Sequence, residues 1–142
     1  MTREEFVAEA AEAARLLEKA PDAAISAHLA CAKAFEYARY HMSAEALGVI
    51  LRESEDAAAY FASHGDFESE SEAFDALASV HRGLGDWNAS IEVTRRRLAN
   101  LEHLSRIERV DAWGVLAWSQ VFAGQYEEAI GTFRAEIGRA HV

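Results

Sequence analysis

Residues 74–91 read FDALASVHRGLGDWNASI, and 39 residues further on, over 113–130, the chain reads WGVLAWSQVFAGQYEEAI. Phe74 returns as Trp113, Leu77 as Leu116, Ala78 as Ala117, Gly85 as Gly124, Trp87 as Tyr126 and Ile91 as Ile130. The helix-start signals Asp66 and Ser105 repeat at the same offset. A self-similarity of this period implies stacked helical units, each hiding its apolar face against the next. The glycine turn inside each copy is only a few residues long, so the helices on either side must run antiparallel. Ala78 and Ala117, with Ser90 and Ala129 opposite, are small enough to let each pair cross closely. Trp87 and Tyr126 are expected to be buried as wedges between one pair and the next.

The rest of the chain extends the same plan. Thr2 and Glu5 have capping-box spacing, and Phe6, Ala10, Ala13 and Leu17 form one stripe of a first helix, which Pro21 stops. Asp22 opens a helix from about Ala23 to His41. After a break at Met42-Ser43, another helix ends at Gly65 in a left-handed turn. Ser105 with Glu108 has capping-box spacing as well. The expected organisation is one domain over 1–142: an N-terminal helix (1–20), a divergent unit (22–65) and two good units (66–104 and 105–142).

Composition supports an all-α fold, since alanine dominates and there is one proline in 142 residues. Asp and Glu outnumber Lys and Arg by 24 to 14, and a net charge of -10 disfavours phosphate backbones, so nucleic acid is not an expected partner. The single cysteine, Cys31, excludes an internal disulfide and suits a small buried helix residue. No signal-peptide pattern or membrane-spanning run is present, which points to the cytoplasm. The six histidines lack the spacing of two ligands on one helical face, and there is no phosphate loop or nucleophile elbow. A non-catalytic chain without metal or cofactor is the expectation. Arg95-Arg96-Arg97 is expected to be solvated and paired with nearby carboxylates, and the acidic run from Asp66 to Asp75 to be a solvated helix face.

Phe74, Leu77, Ala78, Gly85-Asp86-Trp87, Ser90 and Ile91, and again Trp113, Leu116, Ala117, Gly124-Gln125-Tyr126, Ala129, Ile130 and Phe133, resemble the tetratricopeptide repeat family. The match covers Asp66 to Gly138 well and 22–65 faintly, where Ala34, Ala46 and Leu47 fit but His41 and Ser43 do not. Arg97 and Glu136 stand where the family has a small residue, no proline closes the second helix of either good unit, and the period exceeds the family's ~34 residues. The resemblance implies a right-handed superhelix of about three helix pairs after an N-terminal helix. Longer-period repeats of this kind are similar to those of bacterial regulatory proteins, often fused to a diguanylate cyclase or a DNA-binding module.

The resemblance also implies a concave groove, lined by the first helix of each pair, that takes a peptide, helix or partner domain. Carried over by position, that groove would show His28, Phe35 and Arg39, then Glu72, Asp75, Ser79 and Arg82, then Asp111, Trp118 and Phe122. Trp118 would be its apolar anchor, although the same bulk suits a core or inter-pair position. Glu72, Asp75 and Asp111 would favour a basic ligand. A further unit on the same period would begin just beyond Val142, and no polar helix closes the last pair. The chain is therefore expected to be part of a longer signalling protein or to self-associate through Ile130, Phe133 and Ile137. A homodimerisation module controlling an attached output domain is the alternative to the interaction scaffold.

Overall fold

The first turn of a helix leaves backbone N–H groups without partners, and here a short polar side chain takes up one of them at almost every start. In the computed structural model, which describes residues 1–40 and 43–140, Thr2 and Glu5 form a reciprocal capping box at the head of α1 (Arg3–Lys19). Asp22 accepts from the Ile25 N–H at 2.9 Å ahead of α2 (Ala23–Tyr40), and Ser43 from Ala46 at 3.3 Å ahead of α3 (Ala44–Ser63). Asp66 accepts from Ser69 at 3.1 Å ahead of α4 (Phe67–Gly83), and Asp86 from Ala89 at 3.0 Å ahead of α5 (Trp87–Leu98). A short 3-10 turn, Leu101–His103, leads to α6 (Arg106–Phe122), which is followed by α7 (Tyr126–Ala140). The expected helix end at His41 and break at Met42 lie outside the described residues.

Ser105 caps α6 from the Glu108 N–H at 3.2 Å, but the expected reciprocal box does not close. The Ser105 N–H donates to Glu68 of α4 instead, and the Glu108 carboxylate turns toward α5. A carboxylate from the preceding pair thus holds the start of the next one.

The ends of α3, α4 and α6 share one device. Gly65, Gly85 and Gly124 sit at φ 67°, 73° and 79°, and the residue after each donates to the carbonyl five positions back. That left-handed turn is open to glycine at little cost, and it folds the next helix back on the last.

The all-α chain is a series of helix pairs, each helix packing on its neighbour in sequence from α2 to α7. Ala27, Cys31 and Ala34 of α2 meet Ile50, Ala57 and Phe61 of α3 and Ala73, Phe74, Leu77 and Ala78 of α4 in one core. The small side chains bring backbones close, and α2 lies along α4 as well as α3. By contrast, α4 barely touches α6. α1 rests lightly on α2, with Phe6, Ala10, Ala13 and Leu17 only half-buried.

The repeated positions keep their places where they face the partner helix: Leu77 and Leu116, Ala78 and Ala117, Ser90 and Ala129 are all buried. Facing the next layer they diverge. Trp87 is half-buried rather than buried, and it stacks on the exposed ring of Phe122 at 4.6 Å and 18°, linking the second and third pairs. Tyr126 is 63% exposed, which corrects the expectation of a buried wedge there; among the described residues no helix packs on the outer side of α7.

Candidate functional site

The gap between α4 and α6 is organised by Arg97, which reaches into it from α5. Positions 90, 93, 94 and 97 of α5 form one inward stripe, so the last of three consecutive arginines points at the core and is only 3% exposed. Its Nε donates to Ser71 Oγ at 2.7 Å and its Nη2 to Glu108 Oε2 at 2.6 Å, while Ser71 Oγ donates to the same carboxylate oxygen at 2.8 Å. Nη1 lies 2.8 Å from Asp111 and 3.5 Å from Asp75, close enough for charge attraction but out of line with an N–H. Residues from α4, α5 and α6 therefore meet around one buried cation. Arg96 and Arg95 are exposed and ion-paired as expected, with Glu55 at 2.7 Å and Glu92 at 2.6 Å. Arg97 corrects the solvated reading of the triplet.

Charge and burial oppose each other at this centre. Burial works against the charge of Arg97, yet Asp75, Glu108 and Asp111 together outweigh it and hold the guanidinium above its ordinary pKa. Burial raises the Asp75 carboxyl despite the pull of Arg97 and Arg82. Burial likewise raises Glu70, against a hydrogen bond from Asn100 at 3.0 Å. The acidic run from Asp66 to Asp75 is the solvated face expected of it only in part: Asp66, Glu68 and Glu72 are exposed, Asp66 capping its own helix and Glu68 the next pair, while Glu70 and Asp75 turn inward.

Two adjoining depressions share Asp111. The acidic one, about 450 Å³, is lined by Phe35, Glu72, Asp75, Glu108 and Asp111, with Arg97 in its floor. The other, about 560 Å³, is lined by Arg82, Asp111, Gly114 and Val115 together with Trp118 and Phe133. Trp118 is 57% exposed, 6.1 Å from the Phe122 ring and 6.5 Å from that of Phe133, so it is not a core residue. Ser79 and Asp75 hold Arg82 at 2.6 and 3.4 Å. His28 is exposed with its ring 4.8 Å from that of Phe61, and Arg39 lies over Tyr40 at 5.2 Å, so these two are not in either depression.

On α7, Ile130 and Ile137 are exposed while Phe133 is half-buried against Trp118. Cys31 is buried, and burial first, with Glu72 second, pushes its thiol up to about 12, so it is inert at neutral pH. Among the described residues, no group of three or more His, Cys, Asp or Glu side chains is placed to hold a metal, and no helix is long and apolar enough to cross a membrane.

A third and larger cleft, about 1030 Å³, opens between the Ala99–Glu102 connector, the first half of α6 and the end of α7. Sequence reasoning did not find it, nor the roles of Glu68, Ser71 and Glu108. The available signal was Arg97 and Glu136 standing where a helix crossing wants a small side chain.

Compared with known proteins, the chain matches no family model, no curated protein and no solved structure.

Proposed function

We propose that residues 1–142 act as a non-catalytic interaction domain of tetratricopeptide type, which receives a peptide, a helix or a partner domain along the face of α2, α4 and α6. The observation that carries this reading is the exposed ring of Trp118, set between Phe122 and Phe133 beside an acidic depression. A half-exposed indole next to a charged rim is the arrangement of an interface anchor, where burying one ring supplies much of the affinity and charge sets orientation. Arg97 already neutralises much of the charge of Asp75 and Asp111, so the preference for basic segments comes chiefly from Glu72 and the overall charge of -10. The repeated helix pairs and the residues that resemble the family support the same reading. On the resemblance alone, the domain is proposed as the cytoplasmic regulatory part of a longer bacterial signalling protein, such as one carrying a diguanylate cyclase or DNA-binding output.

The test is fluorescence anisotropy with amphipathic helical peptides of matched length and opposite charge. Basic peptides should bind and acidic ones should not, and Trp118→Ala should weaken binding by about 30-fold or more, the size of a hot-spot loss. The melting temperature should hardly move. Equal binding of both peptide classes, or of both proteins, would contradict the proposal.

A second reading, homodimerisation that controls an attached domain, is favoured by one observation. Tyr126, Ile130 and Ile137 form an exposed stripe at helical spacing along α7. Light scattering that shows a monomer at high concentration excludes it, and a dimer abolished by Ile130→Glu supports it.

A further inference from the structure

The 39-residue register allows the second and third pairs to be compared position by position, and it singles out the large cleft. In the second pair the corresponding place is closed. Glu70 accepts from Asn100 at 3.0 Å, and Phe67 stacks on His103 at 4.3 Å and 13°. The residues in register in the third pair are Arg109 for Glu70, Arg139 for Asn100 and Arg106 for Phe67. A hydrogen-bonded acid and amide have become two cations, and the covering ring has become a third. All three arginines line the cleft of about 1030 Å³, and among the described residues none of them is in an ion pair.

The aromatic at the centre shows the same contrast. Phe74 lies under the guanidinium of Arg96 at 4.6 Å, and Arg96 is tied down by both oxygens of Glu55 at 2.7 and 2.8 Å. Trp113 lies under Arg139, also at 4.6 Å, with no carboxylate on that arginine among the described residues. The Trp113 indole N–H is buried and has no hydrogen-bond partner there. Among the described residues three arginines gather in one cleft against two carboxylates, none of them close enough to pair, in a chain of net charge -10.

We propose that this cleft is a binding site for a small anionic ligand, a carboxylate or phosphate group carried on an apolar body. Arginine presents a planar fork that matches two oxygens of such a group, which the register partners Glu70 and Asn100 cannot do. Leu101, Val110 and the Trp113 ring supply the apolar wall against which the body lies. Glu102 and Glu136 also line the cleft, leaving a surplus of one positive charge, which suits one compact oxyanion rather than a polyanion. This cleft borders the depression that holds Trp118, sharing Val110 and Glu136 with it, but its three arginines and Trp113 line the large cleft alone.

The test is a titration of the full chain with benzoate, phenyl phosphate and the neutral isostere benzamide, followed by the ¹H–¹⁵N signal of the Trp113 indole, assigned with Trp113→Phe. One or both anions should bind at least about tenfold more tightly than benzamide and weaken with added salt. The anion that binds more tightly identifies the group. R109Q/R139Q should lose at least about tenfold in affinity, beyond which the site is no longer distinguishable from neutral contact. R109E/R139N, which installs the acid and amide of the second pair, should fold with an unchanged or higher melting temperature and bind neither anion. Benzamide binding as well as the anions, no binding by either anion, or a folded R109E/R139N that retains anion binding would each overturn the proposal.

Discussion

The second helix pair (α4 and α5) and the third (α6 and α7) share a frame and differ in what they do with charge. Leu77 and Leu116, Ala78 and Ala117, and Gly85 and Gly124 do the same work in both. Between those positions, the second pair carries a buried cation, Arg97, matched to carboxylates on both sides, and an acid–amide contact that closes its outer edge. The third pair carries Glu136 in the register of Arg97, and Gly114 and Val110 where Asp75 and Ser71 stand. The frame is set by a few small, apolar and turn residues. The remaining positions are free to make one pair a sealed joint and the other an open surface.

The largest effect should come from removing the joint. Arg97→Ala strands Asp75 and Glu108 beside a buried hydroxyl and should cost roughly 3–5 kcal/mol in urea denaturation, the range for breaking a buried ion pair from one side. The register partner, Glu136→Ala, has no ion pair among the described residues and should change stability by less than about 0.5 kcal/mol. Equal costs would remove the distinction between the pairs. The wedge residues should show a smaller contrast. Trp87→Ala loses its stack on Phe122 and should cost about 1–3 kcal/mol, while the exposed Tyr126→Ala should stay within about 0.5 kcal/mol.

The smallest effect is a pH dependence. Burial lowers the pKa of His81 below its ordinary 6.5, with Asp86 and Glu55 pulling the other way, so the unfolded chain takes up this proton more readily than the folded one. The stability linked to neutral His81 is therefore complete above about pH 6.5 and declines as pH falls below it. Glu70 and Asp75, whose carboxyls are raised, act in the opposite sense, so the measurement is the difference between the native chain and His81→Gln. Glutamine is what the third pair carries in register, at Gln120. The substituted protein should lose less of its melting temperature than the native chain between about pH 7.5 and 5.5; identical slopes would show that burial does not hold His81 neutral.

The frame was legible in the sequence because its signals are local or periodic. Caps such as Thr2 and Asp86 sit next to the helices they open, left-handed turns need glycine, and a period of 39 residues repeats the whole pattern. The joint was much less legible, since it depends on the phase of one helix. Three arginines in a row look alike, and only the spacing of Ser90, Val93, Thr94 and Arg97 on one stripe separates the buried one from the two that reach solvent. Glu108 was misassigned for the same reason: its spacing from Ser105 fits a local cap, but a buried guanidinium competes more strongly for its carboxylate than an exposed N–H does. Tyr126 looked like a wedge because Trp87 is one, and periodicity cannot say which copy has a neighbour.

The central claim is that the second and third pairs are one continuous stack joined through Arg97. A double-mutant cycle on Arg97→Met and Glu108→Gln, read by urea denaturation, tests it most directly because the two residues belong to different pairs. The expected coupling is about 1–3 kcal/mol. A coupling of zero within error would mean that the two pairs merely lie side by side.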